Sequence, residues 1–212
     1  MKKISILLLV VLLSAGYIAA QELPATYTYK VGEYEIILLS EGQQNSKPSV
    51  LIGAAPEQIA KTMPDGTYTS AVNAFLVKTP QANILIDAGF GRKLFDNLAL
   101  VGVTPEQIDV IYLTHMHGDH VGGLMRGDKV AFPNAKLYIP TPEAAYWTSE
   151  QIMKSMPENR RGGFLAAQKI VNAYKQDASY ADFEPLDIAG DGLREGITGY
   201  KAFGHTPGHT MY

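Results

Sequence analysis

Alternating apolar and polar positions predict two strand pairs in the first half of the chain. The segment "TYKVGEYEIILLSEG", rich in Tyr and Ile, favours two strands that turn at Gly32. The segment "SAVNAFLVKTPQANILIDAGFG" favours a hairpin, with an apolar run to Val77, a turn over residues 79–83 and a second strand that ends at Asp87.

The second half of the chain predicts strands that alternate with helices. The short apolar runs "IDVIYLTH" and "KLYIP" are typical of buried strands. "TPEQ" at Thr104 and "TPEA" at Thr141 each offer a Thr N-cap, a Pro and a first-turn Glu, which predicts two helix starts. "GFLAAQKIVNAYKQ" predicts a helix whose apolar face is formed by Phe164, Ala167, Val171 and Tyr174. This order indicates an α/β layered domain.

The N-terminus, "MKKISILLLVVLLSAGYIAAQ", has the order of a secretory signal peptide. A basic start precedes an apolar run from Ile6 to Leu13, and small residues follow at Ala19 and Ala20. We expect cleavage before Gln21, so that residues 1–20 are the signal and residues 21–212 form one domain in the periplasm or outside the cell. An uncleaved anchor is the alternative, but an apolar run of eight residues is too short to span a bilayer. No stable membrane insertion is expected after cleavage.

Composition narrows the classes of function. The chain has 46% hydrophobic and 18% charged residues, as a soluble globular protein does. Its formal net charge is −3 and it has no basic run, which argues against a nucleic-acid partner. Because it has no cysteine, disulfides, thiolate metal ligands and cysteine nucleophiles are excluded.

All five histidines lie in two short glycine-rich segments, each after a predicted strand. These segments are "THMHGDHVGG" and "FGHTPGHT", and they contain His115, His117, His120, His205 and His209. Histidines that serve only as surface or core residues would be scattered. A turn held by hydrogen bonds without a metal is the structural alternative, but this confinement favours a shared chemical role.

The spacing of the first segment predicts a metal site. His115 and His117 are two residues apart, so an extended backbone aims both side chains the same way. Gly118 allows a sharp turn, after which Asp119 and His120 can point to a second, adjacent position. Imidazole nitrogens and a carboxylate oxygen suit zinc or iron, and a ligand set in two groups suits two metals.

These segments resemble those of a known family. "THMHGDHVGG" resembles the HxHxDH signature of the metallo-β-lactamase-fold hydrolases, and "GHTPGHT" resembles their second metal-binding loop. "NAFLVKTPQANILIDAGFG" resembles the early hairpin of that family. "LTHMHGDHVGGLMRGDKVAFPNAKLYIPTPEAAYWTSE" is most similar to the branch of methyl parathion hydrolase and the acyl-homoserine-lactone lactonases. The resemblance implies an αβ/βα sandwich.

The resemblance also implies roles for individual residues. One metal would be held by His115, His117 and His205, whose ligand nitrogens should then lie within about 4 Å of one another. The other metal would be reached by Asp119 and His120. The resemblance makes His209 and Asp87 bracing residues around the site, and makes Trp147 and Tyr146 part of the substrate pocket. Simpler roles are a strand-ending turn for Asp87 and core packing for the two aromatics.

The expected chemistry is hydrolysis by a dinuclear zinc centre. Zinc lowers the pKa of a bound water to about 7, and Asp119 would both bind metal and orient the resulting nucleophile. The substrate would be a small molecule: a lactone, a phosphotriester or a related ester. The alternatives are a mononuclear iron oxidoreductase that resembles persulfide dioxygenases, and a metal-binding remnant without activity. The sequence favours no single ester and no oligomeric state.

The chain departs from the family pattern after the second loop. Dinuclear members have a bridging aspartate and a final histidine further on, whereas this sequence ends at Tyr212. We therefore expect the second half of the sandwich to be truncated. We also expect the 212 residues to bind closer to one zinc than two and to hydrolyse substrates weakly.

Overall fold

A computed structural model describes residues 24–51, 53–176, 183–186 and 196–212 of the chain. The predicted signal peptide, residues 1–20, lies outside them. A seven-stranded sheet has the order β1-β2-β3-β4-β5-β8-β9. Its strands are β1 Thr26–Val31, β2 Tyr34–Ser46, β3 Tyr68–Lys78, β4 Asn83–Ile86, β5 Val110–Tyr112, β8 Lys136–Pro140 and β9 Phe183–Leu186.

Helices and two small strand pairs surround this sheet. The helices are α1 Pro56–Thr62, α2 Leu94–Leu100, α3 Gly118–Val121, α4 Thr141–Trp147, α5 Glu150–Ser155 and α6 Gly162–Gln176. The small pairs are β6 Met125–Arg126 with β7 Lys129–Val130, and β10 Tyr200–Lys201 with β11 Thr210–Met211. Within the described ranges, no helix has the length and apolar character needed to cross a bilayer.

The strand pairings explain why the histidine segments lie at one edge of the sheet. Strands β1 to β4 pair antiparallel, and Gly32 makes the first turn at a φ of 60°. Strands β4, β5, β8 and β9 then pair parallel. Both predicted strand pairs and the α/β class are confirmed. The carboxyl ends of parallel strands meet at one edge, where α/β proteins place their ligands. Asp87 follows β4 there, and His115 lies three residues beyond β5.

The central strands are buried on both faces, which positions that edge rigidly. Ile111 faces the larger core cluster, which includes residues of α2 and α6, while Val110 and Tyr112 face a smaller one. The four residues predicted for the apolar face of α6 are all buried. Tyr212 packs its ring 5.4 Å from that of Tyr112 and donates a hydrogen bond of 3.0 Å to the Leu113 carbonyl.

The two segments predicted to start helices behave differently. "TPEQ" forms only a 3-10 turn, Pro105–Gln107, in which the Thr104 N–H donates to Gln107 Oε1. "TPEA" does begin α4, but Pro140 and not Thr141 is the residue before the helix. The predicted Thr141 N-cap is wrong because the chain passes directly from β8 into the helix, which leaves no residue between them to act as a cap.

Gly123 is expected to tolerate no side chain, because it packs directly on the loop after β4. A Cβ there would lie 2.2 Å from the Ala88 carbonyl oxygen and 2.8 Å from Leu94 Cδ2. We predict that Gly123→Ala lowers the free energy of unfolding by about 2 kcal/mol, measured by urea denaturation. Gly162→Ala is the matched control, since a Cβ meets nothing within 4 Å at that position. Equal midpoints for the two variants would contradict this packing.

Candidate metal centre

The two histidine segments meet because their backbones are joined. The first continues from β5, where the Leu113 N–H donates to the Tyr138 carbonyl at 3.1 Å. The second is carried by the small pair β10 and β11, and the Thr210 N–H donates to the Thr114 carbonyl at 2.9 Å. Residues about ninety positions apart in the sequence are therefore held against each other at the carboxyl end of β5.

His115, His117 and His205 converge at this junction. One ring nitrogen from each histidine lies within 4.8 Å of those of the other two. This limit is wider than the separation of about 4 Å that is expected between nitrogens bound to one zinc. His117 Nδ1 and His205 Nε2 are 3.0 Å apart. In the part of the chain that the structure describes, no other group of three or more His, Asp or Glu residues meets this criterion.

The ring of His115 is oriented with a free nitrogen inside the cluster. The Thr114 hydroxyl donates to Asp87 Oδ2 at 2.7 Å, so its oxygen is left to accept from His115 Nδ1 at 2.9 Å. We therefore assign the proton of His115 to Nδ1 and the lone pair to Nε2. His115 Nε2 is buried and has no hydrogen-bond partner. A metal ion would satisfy that atom.

The protonation state of the cluster also fits a metal. Burial, followed by the nearby histidines, lowers the pKa of His115 to about 2. Burial likewise lowers the pKa of His117. Neutral imidazole is the form that binds zinc, and three imidazoles with one remaining position are the ligand set of a catalytic zinc. The residues present therefore fit a zinc ion at His115, His117 and His205.

Asp119 and His120 lie beside this cluster as a second pair. His120 Nε2 is 3.7 Å from Asp119 Oδ2. The other ring nitrogen of His120, Nδ1, lies 2.7 Å from Asp87 Oδ2. Burial lowers the pKa of His120, but the hydrogen bond and charge of Asp87 more than offset burial, so the pKa is raised. Asp119 and His120 can thus offer one oxygen and one nitrogen to a second metal.

Asp87 is the hydrogen-bond acceptor that connects both positions. Its carboxylate is buried and accepts from the Thr114 N–H at 2.8 Å, from the Thr114 hydroxyl and from His120 Nδ1. Its φ of 59° lies in the left-handed region, which Asp tolerates better than most residues. These contacts are compatible with both roles considered from the sequence, a turn residue and a brace, and the bracing role in a metal site stays a prediction.

His209 lies next to the cluster but outside the group of three. Its ring centroid is 4.9 Å from that of His115 and 5.6 Å from that of His205. His209 Nδ1 is buried without a hydrogen-bond partner, and burial lowers the pKa of the ring. Its backbone carbonyl accepts from the Ala202 N–H at 2.8 Å, which ties it to the β10–β11 pair.

The two aromatics differ in their distance from the cluster. Trp147 presents its ring edge-on to His117, with 5.6 Å between centroids. The ring centroid of Tyr146 lies 5.2 Å from that of Trp147 and 5.3 Å from that of Phe164. Trp147 therefore lies at the border of the cluster and also packs against Phe164 of α6, whereas the ring contacts of Tyr146 are those of helix packing. A place for either aromatic in a substrate pocket stays a prediction.

Glu143 is a site residue that the sequence reasoning missed, since "TPEA" assigned it only to the first turn of a helix. Its side chain is fully buried. Glu143 Oε1 accepts from the Met116 N–H at 2.9 Å and from Trp147 Nε1 at 2.7 Å, and Oε2 accepts from the Gly208 N–H at 2.8 Å. The available signal was its position, three residues beyond a strand that ends at the ligand-binding edge.

The family of the chain is shown by a match that covers about the last two thirds of its residues. A model of the metallo-beta-lactamase superfamily matches residues 67–212, which include every histidine. The chain belongs to the metallo-beta-lactamase superfamily. Solved structures similar to this chain include one named as a hydrolase and one named as a dizinc lactonase.

Two solved structures are similar over most of the chain. The hydrolase AbOPH, of the beta lactamase superfamily, is 31% identical with a TM-score of 0.71, and the match covers 87% of this chain and 68% of that one. AidC, a dizinc quorum-quenching lactonase, is 29% identical with a TM-score of 0.72 and the same coverage. The exodeoxyribonuclease WalJ of Streptococcus pneumoniae serotype 2 is 39% identical over 56 residues, 26% of this chain. The chain spans 21% of the length of that relative.

Proposed function

We propose that this protein is a zinc-dependent hydrolase of small lactones. One observation carries the proposal: the convergence of His115, His117 and His205, in which His115 Nε2 is buried without a partner. The similarity to AidC, named as a dizinc lactonase, supports zinc over iron and a lactone over other esters. When bound, zinc supplies a Lewis acid and lowers the pKa of a bound water to about 7. Such a water is the nucleophile that ester hydrolysis needs.

Different side chains of the site would have different roles in the reaction. The three clustered histidines would hold the first metal, and Asp119 and His120 would offer only two ligands to a second one, so the first position should bind zinc more tightly. Asp119 is the most exposed carboxylate of the site, with 41% of its side chain accessible, so it can orient an attacking water and accept its proton. Asp87 fixes the ring of His120 through their hydrogen bond, which leaves Nε2 for the metal.

The substrate class follows from the border of the site. His205 is exposed and His117 is half-buried, so a small ester can approach the cluster from solvent. The indole of Trp147 beside His117 gives an apolar wall for an acyl chain or ring. A phosphotriester would meet the same nucleophile and the same wall. Nucleic acid is not the proposed substrate, because the formal net charge is −3 and the match to the exonuclease covers 56 residues.

We also propose that the protein is exported to the periplasm or the cell exterior. The order of basic, apolar and small residues over positions 1–20 supports this. Mass spectrometry of the protein from an expressing cell should find a mature N-terminus at Gln21, and an intact Met1 in the exported fraction would contradict the proposed cleavage.

The proposed activity is tested with the purified zinc-loaded protein. An acyl-homoserine lactone, a phosphotriester, a β-lactam and single-stranded DNA are offered in parallel. We expect hydrolysis of the lactone at the highest kcat/KM, its loss to background after chelation, and its recovery when zinc is restored. Asp119→Asn, which keeps the shape of the side chain, should remain inactive after zinc is restored. Lactone hydrolysis that survives chelation, or zinc-loaded protein that hydrolyses only DNA, would contradict the proposal.

A further inference from the structure

Glu143 joins three separate parts of the site through one buried carboxylate. Its first donor, Met116, stands between His115 and His117. Its second, Gly208, lies in the loop that carries His205. The third is the indole of Trp147, one turn further along α4. No other carboxylate in the described residues accepts hydrogen bonds from both histidine segments.

The loop that carries His205 and His209 packs closely against Glu143. A Cβ on Gly208 would lie 2.3 Å from the Glu143 backbone nitrogen and 2.7 Å from its Cβ. Only a glycine can therefore bring this backbone N–H to the carboxylate. The close approach fixes the loop on α4 at a point three residues from His205, so a change at Glu143 is transmitted directly to a metal ligand.

The chemistry of the contact requires a carboxylate. All three neighbours are N–H donors, and an ionised carboxylate has acceptors on both oxygens and no donor. A glutamine of the same shape would place its NH₂ group against at least one of these N–H groups. The N–H group that faces this NH₂ group, whether of Met116, Gly208 or the Trp147 indole, would lose its acceptor and move away.

We propose that Glu143 is the positioning residue of the metal centre. It aligns the His115–His117 loop with the His205 loop, and it holds Trp147 at the border of the site. The proposal rests on the proposed function, because it takes the three-histidine cluster as a zinc site. It adds that zinc affinity depends on a residue that does not touch the metal.

The test compares Glu143→Gln with Glu150→Gln in the 212-residue protein. Glu150 is exposed and pairs with Lys154 on the same helix, α5, so it controls for the substitution itself. Zinc affinity of the metal-free protein is measured by competition with a chromophoric chelator. We expect Glu143→Gln to weaken zinc binding by at least about tenfold, as loss of an outer partner of a metal ligand does. We expect Glu150→Gln to remain within about twofold of the unsubstituted protein.

A second readout is built into the chain, because Trp147 is its single tryptophan. We expect zinc to change the fluorescence of the indole, and Glu143→Gln to shift its emission and reduce the response to zinc. If Glu143→Gln is insoluble, Glu143→Asp is measured in the same way. It keeps the charge but is too short by one methylene to reach both loops.

The outcomes separate this proposal from the proposed function. If the unsubstituted protein binds zinc, and a Glu143 variant binds it equally well with the same emission, only the role of Glu143 is overturned. A variant that loses stability in urea but keeps its zinc affinity also overturns the role, since Glu143 would then support the fold alone. If the unsubstituted protein does not bind zinc, both proposals fall.

Discussion

Replacing His117 with alanine is expected to weaken zinc binding by at least about a hundredfold and to bring lactone hydrolysis to background. Structural zinc sites in small peptides have binding free energies of roughly 10–16 kcal/mol, or about 3 kcal/mol for each of four ligands, and we expect a loss on that scale for one histidine here. His117 is half-buried and lies at the border of the cluster, so the fold should tolerate the truncation. Chelator competition measures the affinity, and turnover of an acyl-homoserine lactone measures the activity.

His209→Ala is the matched control for this prediction. It makes the same substitution in a ring 4.9 Å from that of His115, but in a residue outside the group of three. We expect its zinc affinity to fall less than that of His117→Ala, and we expect His205→Ala to behave like His117→Ala. If His209→Ala lost more zinc affinity than His205→Ala, then His209 and not His205 would be the third ligand.

Asp87→Asn is expected to lower kcat/KM for the lactone by about 10- to 100-fold. The carboxylate accepts directly from His120 and, through the Thr114 hydroxyl, sets the proton of His115 on Nδ1. An asparagine places an NH₂ group against one of these donors, so a metal-facing nitrogen loses its orientation. Both metal positions are affected, although Asp87 itself is not a proposed ligand.

The backbone at position 87 provides the control for this second prediction. Asparagine tolerates the φ of 59° as well as aspartate does, so Asp87→Asn changes the hydrogen bonds and the charge alone. Asp87→Ala adds the strain of a left-handed alanine and should also lower the melting temperature relative to Asp87→Asn. Full activity of Asp87→Asn with normal zinc content would show that the carboxylate does not orient the two histidines.

The sequence predicted the sheet because its strands have strong local signals. The turn at Gly32 and the "TPQAN" turn each separate two apolar runs of the right length, and the buried run before His115 indicated where a strand would end. The common direction of His115 and His117 followed from their two-residue spacing on an extended backbone, whereas the place of His205 was implied only by the resemblance to the family. These features depend on residues close together in the chain, or on a motif shared with a family.

Other features depended on contacts between distant residues. Glu143 has an ordinary place in the first turn of a helix, and only its burial between residues 116 and 208 distinguishes it from Glu106, which stands in the same "TPE" motif. Helix α2, "LFDNLAL", was not predicted, because seven residues give too short a pattern to separate a helix from a buried strand.

Anomalous diffraction at the zinc edge, from crystals of the zinc-loaded protein, would locate the metal directly. We predict a strong peak about 2.0–2.1 Å from one nitrogen each of His115, His117 and His205. The nitrogens should be Nε2 of His115, Nδ1 of His117 and Nε2 of His205, the atoms that face the cluster. A zinc peak bound by His209 in place of His205, or zinc bound only outside this cluster, would contradict the account.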